Sequence, residues 1–242
     1  MWTAILIELF AFALFGGLSL VFFDKKDQAL IRRDAATDAL FFLLGVLVYS
    51  RLTGFLMTHV YAPPVARMIS AWPLWVQALS LLVVYDFIQY WLHRLFHGDR
   101  LWSFHAVHHS AEEIDILTSF RTHPVNFVLY SGLPTAALLM AGFTPSAFAA
   151  LVPFNYLMGC LTHANLRWSW GPFRTVLASP MFHRWHHADL GGARSCNYAP
   201  NLPLWDILFG TFHMPKGESP ASYGTREVPR GFARQVLYPI RL

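Results

Sequence analysis

The sequence predicts an all-α integral membrane protein with about three transmembrane helices and a helical hairpin, carrying a cytosolic histidine-rich helical cap. Three observations predict it. Hydrophobic residues make up 55% of the chain and charged residues only 13%, outside the balance of a water-soluble domain. Four apolar stretches are long enough to cross a bilayer or to turn back within it. Histidines gather at the ends of those stretches in helical spacings, i, i+4 and i, i+3, i+4.

Residues 1–23, MWTAILIELFAFALFGGLSLVFF, form an apolar run broken only by Glu8. With no basic stretch before it and no small-residue cleavage site, it reads as a retained helix and not as a signal peptide. Residues 36–60 make a second span and roughly 73–92 a third. From Val125 to about His163 the chain is apolar again, interrupted by Gly142, Thr144 and Pro145. This stretch reads as a helical hairpin that turns near Gly142 to Ser146, with a kink at Pro134, so both its ends face one side. The first loop carries Lys25, Lys26, Arg32 and Arg33 and the second only Arg67, which places the first loop in the cytoplasm. The third span then delivers His93 to the cytoplasmic face, where the hairpin also returns.

No linker, repeat or low-complexity tract divides the chain. It reads as one membrane-embedded domain over 1–242: N-terminal transmembrane helices over 1–72, a histidine-rich catalytic region over 73–215 and a C-terminal tail over 216–242. The net charge of +4 is scattered; no basic stripe with interleaved aromatics points to nucleic acid, and an anionic membrane surface suits it better. Cys160 and Cys196 form no C-x-x-C pair and read as packing residues.

His93 and His97 share a face at the end of the third span, and Asp86 lies two turns earlier on the same stripe, with Gln89 and Tyr90 between. A carboxylate in a membrane helix needs a partner; a histidine N–H is the expected one, which would orient that histidine toward a metal, and a neighbouring helix is the alternative. His105, His108 and His109 have the spacing i, i+3, i+4, and the pattern returns as His183, His186 and His187; on a helix it is expected to aim three imidazoles at one point. Neutral imidazole is a ligand for iron and zinc alike. Eight such histidines are too many for one ion, and a structural zinc site closes with four ligands, so the count points to an open dinuclear centre. The E-x-x-H pairs of soluble di-iron bundles are absent.

These motifs resemble the integral-membrane fatty acid hydroxylase and sterol desaturase superfamily. The resemblance runs from Asp86 to Phe212 through D-x(6)-H-R-x-x-H, W-x-x-H-x-x-H-H-S at Trp102 to Ser110, T-H-A-N at Thr162 to Asn165, S-P-x-x-H-R-x-H-H at Ser179 to His187, and N-Y-x-P-N-L-P-L-W-D-x-L-F-G-T-F from Asn197. It implies a membrane-bound non-haem di-iron oxidoreductase that uses O2 as co-substrate to hydroxylate, or desaturate, an unactivated C–H position of a lipid such as a fatty acyl chain, sterol or alkyl lipid. The ligands it implies are His93, His97, His105, His108, His109, His163, His183, His186 and His187; His163 enters through the family's H-x-N position. His123, in an Arg-x-His-Pro segment, is either a tenth ligand or a hydrogen-bonding neighbour of the cofactor site, as is expected of Asp86. Two iron ions are the implied cofactor, with zinc able to replace them in purified protein. The absence of a G-x-G-x-x-G fingerprint implies an external electron-donor protein, and the oligomeric state stays open.

Glu112, Glu113 and Asp115 are candidates to hydrogen-bond the ligands. His59 and His213 read as structural, and Asn197, Tyr198, Trp205 and Asp206 as packing and turn residues, with Asn197 suited to a left-handed turn and Asp206 to capping a short helix. Trp168 and Trp170 suit an interfacial belt. Metal transport, bis-histidine haem binding and a silent scaffold are the rival readings. The first expects ligands spread near midplane, the second leaves most imidazoles unexplained, and the third needs no metal constellation.

Overall fold

The computed structural model describes residues 2–29, 31–189 and 196–239, without the side chains at 2–5 and 8; Glu8 therefore lies outside the described side chains. The fold is all-α. Its helices are α1 (Trp2–Ser19), α2 (Ala35–His59), α3 (Leu74–Phe96), α4 (Trp102–His109), α5 (Pro124–Met140), α6 (Pro145–His163), α7 (Pro180–His186), α8 (Leu204–Leu208) and α9 (Phe232–Leu237).

Each expected span is helical. Only α2, among the described residues, is both long and apolar enough to cross a membrane. At 23 residues, α3 is about 34 Å long, but it buries polar side chains, Gln77 near its start and Asp86 and Gln89 in its second half. α1, α2 and α3 all turn apolar side chains outward, among them Leu9, Phe10, Leu40, Leu47, Val83 and Phe87. Outward apolar faces of this extent suit a lipid surrounding.

The hairpin forms as expected. α5 and α6 meet at Gly142, whose φ of +109° is closed to L side chains, and a Cβ there would come within 2.2 Å of the Ala66 carbonyl oxygen. The Thr144 backbone N–H and hydroxyl both donate to Gln77 Oε1, at 3.1 and 2.9 Å, tying the turn to α3. The kink expected at Pro134 takes the form of a wider π turn at Val128–Gly132, directly before the proline-bearing segment; proline lacks the N–H that would continue the regular ladder.

α1 and α3 pack on α6. Tyr90, Met158, Leu161, Phe182 and Trp185 share one core beneath the histidines. The segment expected as a C-terminal tail returns to the body: Val228, Phe232 and Val236 pack against Phe41, Trp102 and Val107. A buried ionic network joins the loop before α2 to the turn after α4. Arg32 pairs with Asp38 at 2.7 Å and with Asp115, and Arg121 pairs with the same Asp38. Arg32, a loop cation by sequence, is 3% exposed, so it is a structural cross-link. Buried ion pairs add little net stability, but losing one partner strands the other charge.

Gly142→Ala places a methyl group against the Ala66 carbonyl in a left-handed backbone. It is expected to cost roughly 2 kcal/mol and to lower the thermal midpoint of the detergent-purified chain by about 5 °C; an unchanged midpoint refutes this account of the hairpin turn.

Candidate metal centre

The last turn of α3, the whole of α4, the end of α6 and α7 converge, and the nine expected histidines meet there in two adjacent groups. His93, His97, His105, His109 and His186 form one; His108, His163, His183 and His187 form the other, with the facing nitrogens in each group within 4.8 Å of one another. Eight of the nine are buried and His108 is partly so.

The expectation that each H-x-x-H-H aims three imidazoles at one point is corrected here. Successive helical residues are about 100° apart, so i and i+4 lie about 40° apart while i+3 falls about 60° to the other side. His105 and His109 therefore join the first group and His108 the second. α7 repeats the division with the groups exchanged: His183 and His187 enter the second group and His186 the first.

Nε2 faces Nε2 across both groups. The separations are 2.9 Å for His93–His105 and 3.2 Å for His105–His109, then 3.3, 3.0 and 3.0 Å for His108–His163, His163–His183 and His183–His187. Two nitrogens about 2.1 Å from one ion are about 3.0 Å apart at a right angle and about 3.4 Å at the tetrahedral angle. The observed spacings are those of neighbouring ligands.

The opposite ring nitrogens are tied down. Nδ1 of His93 donates to the Tyr198 carbonyl at 2.6 Å and Nδ1 of His186 to the Cys196 carbonyl at 2.8 Å. In the other group, Nδ1 of His108 donates to the Arg121 carbonyl at 3.2 Å and Nδ1 of His163 to the Gly159 carbonyl at 2.8 Å. A carbonyl only accepts, so these four rings carry their proton on Nδ1 and present a lone pair on Nε2. The His186 Nε2 is buried with no hydrogen-bond partner among the described residues, as a ligand atom would be. Burial first, then repulsion between neighbouring rings, holds His105, His109, His183, His186 and His187 well below the ordinary imidazole value, and His108 likewise. Neutral rings with converging lone pairs fit two transition-metal ions.

Asp86 departs from the expected histidine partnership. Seven residues of helix separate it from His93 by about 10 Å, and its carboxylate instead accepts from the Asn201 N–H and side-chain amide, the Leu202 N–H and the Trp205 indole, at 2.9–3.1 Å. It locks α3 to the segment whose carbonyls orient His93 and His186. Asp206 lies within α8, not before it, and accepts from the Tyr198 and Ala199 N–H groups at 2.7 and 2.8 Å. Asn197 adopts the left-handed turn anticipated for it, with φ of +56°.

His123 stands outside both groups. It caps α5, where its Nδ1 accepts from the Val125 N–H at 3.0 Å, and its ring lies on Phe104. His59 is exposed and stacks on Phe55, and His213 packs edge-on against Trp185. Among the three acids after α4, Glu112 pairs with Arg230 and Asp115 with Arg32, while the Glu113 carbonyl accepts from Arg32. Sequence reasoning missed Asn126, whose Oδ1 accepts from Nδ1 of His105 at 3.0 Å; a buried amide three residues after His123 in an apolar run was the available signal. It also missed Tyr130, in the π turn of α5 with its ring 5.8 Å from that of His93, which no spacing marks out.

Residues 78–211 match the family model described as fatty acid hydroxylase. The chain is 34% identical over 170 residues to the ornithine lipid hydroxylase OlsE of Rhizobium tropici, covering 69% of this chain and 51% of that protein. It is 36% identical over 148 residues to the alkylglycerol monooxygenase of Danio rerio, covering 59% of this chain and 31% of the other. A very-long-chain aldehyde decarbonylase, GL1-4 of Oryza sativa subsp. indica, is 25% identical over 191 residues, 71% of this chain and 30% of that protein. The chain thus spans about half the length of the first relative and less than a third of the others. No solved structure matches it.

Two outcomes follow from this geometry. Asn126→Leu removes the acceptor that orients His105 and is expected to weaken metal retention about 10- to 100-fold, read by competition with a chelator; unchanged retention refutes that role. In metal-free protein the depressed imidazoles take up protons only on unfolding. Their contribution to stability is therefore complete above about pH 6.5 and is lost progressively as pH falls below it. The thermal midpoint should fall between about pH 7 and about pH 5, and a midpoint that rises over that range overturns the neutral assignment.

Proposed function

The chain belongs to the fatty acid hydroxylase family, and from that premise we propose that it is a membrane-bound, O2-dependent di-iron enzyme that hydroxylates an unactivated C–H position of a lipid. The observation that carries the reading is the pair of adjacent all-imidazole groups with converging Nε2 atoms. Hydroxylation is favoured over desaturation because the relatives that cover this chain at 34% and 36% identity are named as a hydroxylase and a monooxygenase.

His93, His97, His105, His109 and His186 would hold one metal and His108, His163, His183 and His187 the other. When bound, two irons supply oxygen activation: with two electrons and two protons from an external donor, one atom of O2 enters the C–H bond and the other leaves as water. The protein's share is to bind, orient and exclude. The Tyr198, Cys196, Arg121 and Gly159 carbonyls and the Asn126 amide fix the lone pairs, and the buried setting of the rings keeps water out. Asp86 and the ionic network around Arg121 hold the segments that carry those acceptors.

The topology belongs to the same proposal. α1, α2 and α3 span the bilayer, α5 and α6 enter as a hairpin, and both histidine groups lie at the cytoplasmic side with the first loop. The outward apolar faces of α1 to α3 and the cations Lys25, Lys26 and Arg33 support this arrangement. An apolar chain then reaches the centre from within the bilayer. Metal transport fits less well, since all nine imidazoles cluster at the ends of the apolar segments.

Metal analysis of anaerobically reconstituted protein should give two irons per chain, and lipids of an expressing strain grown under air should contain a new hydroxylated species. His108→Ala should abolish that product and lower metal content, whereas His59→Ala should leave both near normal. A single metal per chain, or equal effects of the two substitutions, would overturn the assignment.

A further inference from the structure

On the flank of α7, outside the histidine groups, a cavity of about 530 Å³ is lined by Arg167, Arg174 and Lys216, with Met181, Met214 and the single acid Glu218. We infer that this cavity binds the anionic phosphate headgroup of a bilayer lipid at the membrane–water boundary.

The charge is the first argument. Three cations face one carboxylate, and both guanidinium groups are already oriented: Arg167 Nη2 donates to the Gly217 carbonyl at 3.3 Å and Arg174 Nη1 to the Met214 carbonyl at 3.0 Å. The Arg174 guanidinium also lies over the Phe212 ring, 5.8 Å from its centre. Each arginine keeps further N–H donors for an anion, in the fork geometry that suits phosphate oxygens. The walls are preformed. Trp170 holds a left-handed backbone, φ +60°, its indole N–H donates to the Ala178 carbonyl at 3.2 Å, and the Met181 N–H donates to the Trp168 carbonyl at 3.1 Å.

Position decides between a lipid and a dissolved anion. The apolar run that begins with α1 continues past the helix to Phe23 and gives way at once to Asp24, Lys25, Lys26 and Asp27, the change of composition that marks a bilayer surface. The cavity's loop joins that boundary: the Arg167 N–H donates to the Phe22 carbonyl at 3.1 Å, and the Phe22 and Trp168 rings are 6.0 Å apart. Beside the cations, Leu20, Val21, Phe173 and Val176 expose 60–70% of their surface. Exposed apolar side chains alternating with cations and tryptophans anchor proteins in the headgroup region, whereas a site for free phosphate has no use for them.

The full chain in neutral detergent, titrated calorimetrically with short-chain phosphatidylglycerol, should bind it and not bind the zwitterionic phosphatidylcholine of equal chain length. Lys216→Gln, at an exposed position, should weaken binding about fivefold, and Arg167→Gln with Arg174→Gln by the square of that, since each cation near an anionic surface is worth about 1 kcal/mol. Arg67→Gln, in the second loop, should change nothing. The inference fails if the two lipids bind alike, if the Lys216→Gln chain binds as the parent does, or if inorganic phosphate binds as tightly as phosphatidylglycerol. The comparison of the three ligands needs no variant, so misfolding of the double variant leaves the test intact, and metal content plays no part in it.

Discussion

Lone pairs that face one another about 3 Å apart, shut away from water, repel unless something positive lies between them. This constraint governs the centre of the molecule. Nine imidazoles are too close and too buried for ring after ring to carry charge, and their shared neutrality makes the space between them a site for cations supplied from outside. The rings must also be prevented from turning away. For His93, His105, His108, His163 and His186, hydrogen bonds from Nδ1 to fixed oxygens do this, and much of the fold around them can be understood as the apparatus that keeps those oxygens in place.

That apparatus works at a distance. The Tyr198 and Cys196 carbonyls belong to the irregular residues 196–203 before α8, which on their own have no reason to hold one conformation. Asp86, Asp206 and Asn197 supply it. Asp86 gathers four N–H groups from residues 201–205, Asp206 gathers two from residues 198–199, and Asn197 bridges the Phe182 and His213 carbonyls. On the other side, Arg121 presents its carbonyl to His108 while its guanidinium is held by Asp38 and donates to Ser110 at 3.0 Å. Polar groups that look out of place in an apolar chain are thus the restraints on loops that must not drift.

Much of this was legible in the residues. Helix spacing located eight of the nine histidines and the family resemblance the ninth, His163, while apolar runs located the helices that carry them, because spacing and hydropathy are periodic and local signals. The hairpin turn announced itself through Gly142 and Pro145. What escaped was set by tertiary direction. Whether His108 and His109 join one group or two depends on what faces α4 across the core, and the partner of Asp86 lies more than a hundred residues further along. The oxygens that orient four of the rings are backbone atoms, which residue type does not reveal. Arg32 shows the converse error: a cation beside an apolar run looks like a topological signal and is in fact a buried cross-link between Asp38 and Asp115.

α4 and α7 are each about two turns long, and each contributes histidines to both groups in opposite proportion. Neither helix belongs to one group alone. Unwinding either would strip two donors from one group and one from the other, so the two cannot be dismantled in sequence by loss of a single element. The two histidine groups are in this sense one indivisible unit of structure.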